Sequence, residues 1–191
     1  MYLMTCTRPD LAYPLGLLAR YVAPGQHRKV HMDAAKRVLR YLCSTLGMGL
    51  VLGGRGDVVL TVSWRSTRSS SVFGSSCEAE IYATVMAAQE LRWLTYLLTD
   101  LGERPRSPSS LYVDNKVAIA LCQEHRLEHR TKHIALRYFL ARELQQRGQL
   151  RLTYVATRAN TADIFTKALP SGDHQRFCTV LGLVPMLPHL L

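Results

Sequence analysis

The chain has 191 residues, 48% apolar and 20% charged, enough to bury a core and too apolar for a disordered segment. Its 24 Lys and Arg against 14 Asp and Glu give a net charge of +10, which favours a polyanionic partner. Cysteines at 6, 43, 77, 122 and 178 contain no C-x-x-C pair, which excludes a zinc knuckle or disulfide framework and points to reduced thiols in an intracellular protein. The N-terminus has no basic-then-apolar leader pattern, and no window of about 18 apolar residues predicts a membrane span.

Residues 1–52 read as a helical hairpin. Pro9 and Asp10 open a first helix to about Tyr21, with Leu11, Leu15 and Leu18 on one face. Ala23-Pro24-Gly25 is a turn. His31–Leu42 is a second helix, with Ala35, Val38, Leu39 and Leu42 apolar and Lys36, Arg37 and Arg40 pointing elsewhere. Residues 1–52 hold seven Lys and Arg against two Asp. Gly47–Leu52 reads as a short strand, and Asp57–Val62 as another by its β-branched content. Ser63–Phe73 is Ser-rich and basic with weak alternation, so strand and loop both stay open.

Ser75–Leu101 is the longest helical pattern, without an internal Gly or Pro. Ser75 and Glu78 form an S-x-x-E capping box, and Gly102 stops the helix. At 100° per residue, Thr84, Ala87, Leu91, Leu94, Leu98 and Leu101 share one stripe that reaches back to Glu80, with Glu78 on the solvent side. Leu111–Val113 is a strand ending on Asp114 and Asn115, followed by a helix over Lys116–Gln123. Thr131–Arg147 is an amphipathic helix stopped by Gly148, and Leu150–Val155 an alternating strand. Asn160–Asp163 opens another helix, and a last short helix runs from Asp173 to Leu181.

Three carboxylates sit at element ends: Glu80 and Asp163 near helix starts, Asp114 at a strand end. Carboxylates gathered at such ends suit hard divalent cations that act on phosphates. Each also has a local reading: a first-turn residue favoured by the helix dipole for Glu80, helix capping for Asp114 and Asp163. His125, His129 and His133 recur every four residues and would line one helix face, as a transition-metal site could. The basic segment around them, Gln123–His133, suits phosphate contact better. From Lys116 to Arg158 there are nine Lys and Arg against three Glu.

At this point the motifs resemble a family. Thr7–Tyr13 (TRPDLAY) and Lys36–Leu42 (KRVLRYL) are similar to the helical connection that ends the reverse transcriptase of copia-type LTR retrotransposon polyproteins. Ser63–Ser66 (SWRS), Ser76–Glu80 (SCEAE), Tyr112–Asn115 (YVDN), His129–Ile134 (HRTKHI) and Asn160–Leu169 (NTADIFTKAL) resemble the ribonuclease H domain that follows. The resemblance implies an α/β ribonuclease H-like fold: a mixed sheet flanked by helices behind an N-terminal helical hairpin. It implies a connection over 1–52, a nuclease domain over 53–182 and a tail over 183–191. It also implies cleavage of the RNA strand of an RNA–DNA hybrid, with Mg²⁺, or alternatively Mn²⁺, on Glu80, Asp114 and Asp163. Arg126, Arg130, Lys132 and His133, with Lys36, Arg37 and Arg40, are the expected nucleic-acid contacts, and the rest of a polyprotein is the expected protein partner.

The chain departs from the family at its first strand, which in the family leads to an Asp that bridges both ions. Here Leu60-Thr61-Val62 runs straight into Ser63-Trp64, a segment of about 25–30 residues by the family's pattern is missing, and no Asp lies between Val58 and Gly74. The expected sheet is therefore incomplete and the expected nuclease impaired. The alternative expectation is a nucleic-acid-binding or inert retroelement remnant.

Overall fold

The computed structural model describes residues 2–51, 63–69, 72–103, 108–123 and 140–186. Among these, α1 (Tyr2–Cys6) and a 3-10 turn at Pro9–Leu11 lead into α2 (Ala12–Leu18), which tightens to 3-10 over Ala19–Tyr21. After a turn at Gly25 come α3 (Lys29–Ser44) and β1 (Met48–Leu50). Then follow α4 (Ser76–Asp100), β2 (Ser109–Val113), α5 (Lys116–Gln123), α6 (residues 140–146), β3 (Leu150–Tyr154), α7 (Ser171–Val180) and β4 (Leu183–Pro185). The fold class is α/β. The strands form two separate pairs, β1–β4 antiparallel and β2–β3 parallel. The expected strand over 57–62, the junction after Val62 and the start of the helix expected from Thr131 lie outside the described residues.

Two compact units divide the chain. The first comprises residues 1–69 and 161–191, the second residues 70–160. In the first, Met4, Leu11 and Ala12 form one buried cluster against Leu15, Val38 and Leu42. Ile164, Phe177, Cys178, Leu181 and Leu183 form another, against Met48 and Leu50. Gly182, at φ +82, turns the chain from α7 into β4, a left-handed conformation that glycine adopts without a Cβ penalty. Neither this turn nor β4 was expected from the sequence. Leu39, expected on the apolar face of α3, is 61% exposed. It lies about 100° from Val38, which holds the packed side. Residues 63–69 are irregular, which decides for a loop. They are anchored where Trp64 Nε1 donates to the Met4 carbonyl at 2.7 Å and Ser66 Oγ to the Phe165 carbonyl at 2.6 Å.

In the second unit the parallel pair holds register from Ser109 opposite Leu150 to Val113 opposite Tyr154. Leu150 and Leu152 face the core with Val113, α5 lends Ala118 and Cys122, and α6 lends Ala141 and Leu144. From α4 come Ile81, Val85 and Ala88, with Thr84 also buried. The buried stripe of α4 is thus rotated from the expected one and stops early. Leu98 and Leu101, placed on it by sequence, are 39% and 69% exposed. Both ends of α4 follow local chemistry. Ser75 Oγ accepts from the Glu78 N–H at 3.2 Å, and Gly102 ends the helix at φ +83.

Candidate functional site

The first turn of α4 separates its two acidic residues by role. Glu78 turns back, and its Oε2 accepts from the Gly74 N–H at 2.9 Å. It is half-buried rather than on the open solvent side, because that hydrogen bond holds it against the helix start. Glu80, also half-buried, immediately precedes the core residue Ile81. Its carboxylate lies close enough to Cys77 to raise that thiol's pKa, second to burial.

Asp114 follows Val113, the last residue of β2 and a member of the same buried cluster as Ile81. The helix-capping role open to it in the sequence belongs to its neighbour: Asn115 Oδ1 accepts from the Ala118 N–H at 3.0 Å at the start of α5. Asp114 is left half-buried at the carboxyl end of a parallel strand, with no ion pair or hydrogen bond among the described residues. This is where open α/β sheets carry functional groups.

Asp163 belongs to the other unit. It lies in a 3-10 helix, Thr161–Phe165, and not in an α-helix N-terminus. It is 8% exposed, and Lys167 Nζ contacts its Oδ1 at 2.8 Å. The i,i+4 spacing of this pair was legible in the sequence as a helical ion-pair signal. Among the described residues no three His, Cys, Asp or Glu side chains form a group that could hold a metal ion. Glu78 is taken up as a helix cap and Asp163 by Lys167, and no catalytic step follows from these residues.

Helix α3 carries the basic surface. Lys29, Lys36, Arg37 and Arg40 are exposed, with no hydrogen-bond or ion-pair partner among the described residues. Lys29, Lys36 and Arg40 fall within an arc of about 40°. Lys29 was not singled out by sequence, although its seven-residue spacing from Lys36 puts it two turns away on one face. Arg126, Arg130, Lys132, His133 and the histidine series at 125, 129 and 133 lie outside the described residues.

The two connection motifs meet around a buried ion pair that sequence reading did not anticipate. Arg8 contacts Asp10 through Nε to Oδ1 at 3.0 Å and a second nitrogen to Oδ2 at 2.8 Å. Tyr41 donates its hydroxyl proton to Asp10 Oδ2 at 2.6 Å, and Arg8 also reaches Thr45 Oγ1 at 2.8 Å. Burial, reinforced by the Asp10 carboxylate, raises the Tyr41 pKa. The motif residues here lock α3 onto the segment before α2, a structural task.

The retrovirus-related Pol polyprotein from transposon RE1 of Arabidopsis thaliana is 32% identical over 210 residues, covering 95% of this chain. The chain belongs with the Pol polyproteins of copia-type transposons. Transposon RE2 of the same plant gives 34% over 212 residues and 95% of the chain, and transposon TNT 1-94 of Nicotiana tabacum 30% over 211 residues and 96%. This copia-type chain spans only 14%, 14% and 16% of the three relatives' lengths. No protein-family model matches it, and no solved structure does. An alignment of 210 residues that uses 95% of a 191-residue chain draws on about 181 of them. About 29 positions of the RE1 relative therefore have no counterpart in this copia-type chain. No helix among the described residues is long and apolar enough to cross a membrane.

Proposed function

We propose that this chain is a ribonuclease H-like piece of a copia-type Pol polyprotein that binds RNA–DNA hybrid through its basic surfaces and cleaves it poorly or not at all. The observation that carries this reading is the shortfall of about 29 aligned positions. It agrees in size with the segment of about 25–30 residues expected, from the family resemblance, to be missing between Val62 and Ser63, where the family's first metal-bridging Asp would stand. The placement of Asp114 supports the ribonuclease H-like half of the reading, since a functional carboxylate needs a strand end and freedom from capping. Glu80, Asp114 and Asp163 are then the proposed remaining ligands for Mg²⁺. Two divalent ions about 3.5–4 Å apart repel strongly, and a carboxylate touching both offsets that repulsion. Without it three carboxylates remain, one already engaged by Lys167 at 2.8 Å.

The test compares the chain with a form carrying the missing segment, Asp included, taken from a relative. Hybrid cleavage in Mg²⁺ and in Mn²⁺ is expected near background for the chain and clearly above it for the restored form. Equal Mg²⁺-dependent cleavage by both overturns the impairment. Absence of salt-dependent hybrid binding by either overturns the nucleic-acid reading.

A further inference from the structure

One hollow in the first unit serves none of the roles above. Helix α2 presents Tyr13, Gly16 and Leu17 to it, an i, i+3, i+4 series on one helical face, and the 3-10 turn that continues the helix presents Arg20. Ser66, Thr67 and Arg68 of the anchored loop form a second wall, and Phe165 and Thr166 a third. Its volume is about 390 Å³, at the small end of the roughly 300–1,000 Å³ typical of small-molecule sites.

Among the described residues the lining carries two guanidiniums and no carboxylate. Arg20 and Arg68 are exposed and have no ion-pair or hydrogen-bond partner among the described residues. The Tyr13 ring is half-buried, as is the Phe165 ring. Gly16 sits inside α2, although glycine is the poorest helix former after proline. Tight packing does not explain it, since a Cβ built there meets nothing within 4 Å. The missing side chain leaves the hollow open.

We propose that this hollow binds a nucleoside phosphate unit, with its phosphate at Arg20 and Arg68 and its base against Tyr13 and Phe165. A guanidinium matches a phosphate with two parallel charge-assisted hydrogen bonds, and the Thr67 hydroxyl adds a donor. Aromatic faces accept any base by stacking, so the site would be indifferent to sequence. The unit can be a free nucleotide or one residue of a nucleic-acid strand. The proposal does not rest on the ribonuclease H-like reading, because none of Glu80, Asp114, Asp163 or the α3 cations takes part.

The experiment titrates the full chain with adenosine 5′-monophosphate, adenosine, inorganic phosphate and a short single-stranded deoxyadenosine oligomer. The monophosphate should bind about tenfold or more tightly than adenosine or phosphate alone, since each lacks one half of the contact. Arg20→Ala with Arg68→Ala should weaken it by about tenfold or more. Gly16→Leu should block it by filling the hollow while leaving the charge intact. Arg151→Ala, at an exposed arginine of the second unit, should leave it unchanged. On the unaltered protein, 8-azidoadenosine monophosphate should crosslink to peptides containing residues 13–20 or 165–166. An oligomer bound tenfold more tightly than the monophosphate through the same residues identifies a strand as the occupant. Equal affinity identifies a free nucleotide. Monophosphate binding no tighter than inorganic phosphate, or unaffected by both pocket variants, overturns the proposal.

Discussion

The Arg8–Asp10–Tyr41 group shows how a motif residue can be bound to structure rather than chemistry. Arg8 and Asp10 are 6% and 2% exposed, so removing either partner strands a charge away from water. Asp10→Ala should destabilise the protein by about 3–5 kcal/mol, the range for breaking a buried pair. Tyr41→Phe, which removes one hydrogen bond to a charged acceptor, should cost about 1.5–3 kcal/mol. Denaturant midpoints at constant slope would check both, and an Asp10→Ala loss below about 1 kcal/mol would contradict the buried pairing. Nothing local announced this arrangement: Asp10 reads as a helix-opening residue, and its partner Tyr41 is 31 residues away. Alkaline pH probes the same region. Burial, with the Asp10 carboxylate near, pushes the Cys178 thiol up from 9.0 to about 11. A group whose pKa is raised on folding holds its proton more tightly in the native state, so its contribution is complete below pH 9 and is lost as pH rises towards 11. Stability should therefore fall across that window by up to about 1.4 kcal/mol per pH unit for such a group. Cys178→Ala should make the fall shallower in urea titrations taken at several pH values, and an unchanged profile would remove the thiol from this account.

At the scale of elements, α4 separates what sequence can specify from what it cannot. Its ends depend on neighbours in the chain, and both were legible: Ser75 caps the start and Gly102 reverses the backbone after Asp100. Its buried face depends on what packs there: periodicity placed Thr84 and Leu91 correctly, on or against the core, but missed Ile81, Val85 and Ala88 and carried the stripe too far. Leucines at 94, 98 and 101 drew the expected stripe toward the distal half, whereas the core touches Ile81, Val85 and Ala88 near the start. Asp114 gave the same lesson on a smaller scale. Its position at a strand end was plain from Leu111–Val113, but only the Asn115 hydrogen bond decided that it does not cap. Ser75→Ala should cost about 1 kcal/mol, and Gly102→Ala about 1–2 kcal/mol because a Cβ is penalised at that left-handed φ. In native-state hydrogen exchange, amides around Ile81–Ala88 should outlast those around Leu97–Asp100, where exposed side chains leave only helical hydrogen bonds to hold the turn. Equal protection along the helix would show that its distal half is packed as firmly as its first.

For the molecule as a whole, charge is the property that reaches furthest. A net +10 would make any association with nucleic acid salt-dependent. The slope of log affinity for a hybrid duplex against log salt should be roughly −0.9 per phosphate contacted. Replacing Lys36, Arg37 and Arg40 by Ala together should flatten it by up to about three such increments. Filter binding between about 50 and 200 mM salt would measure this, and an unchanged slope would take α3 out of the interface.

The pairing of β1 with β4 has a consequence for synthesis. A ribosome makes Leu50 133 residues before its partner Leu183. At about 5–20 residues per second, the opening helices wait roughly 7–27 s for the segment that completes their unit. Meanwhile residues 70–160 emerge as one continuous stretch that carries its own core. A nonsense mutation at any codon between 161 and 182 would thus spare the contiguous unit and leave the N-terminal helices without the strand that closes theirs. Loss of chain from residue 182 backwards would be felt first in the unit that holds residues 1–69.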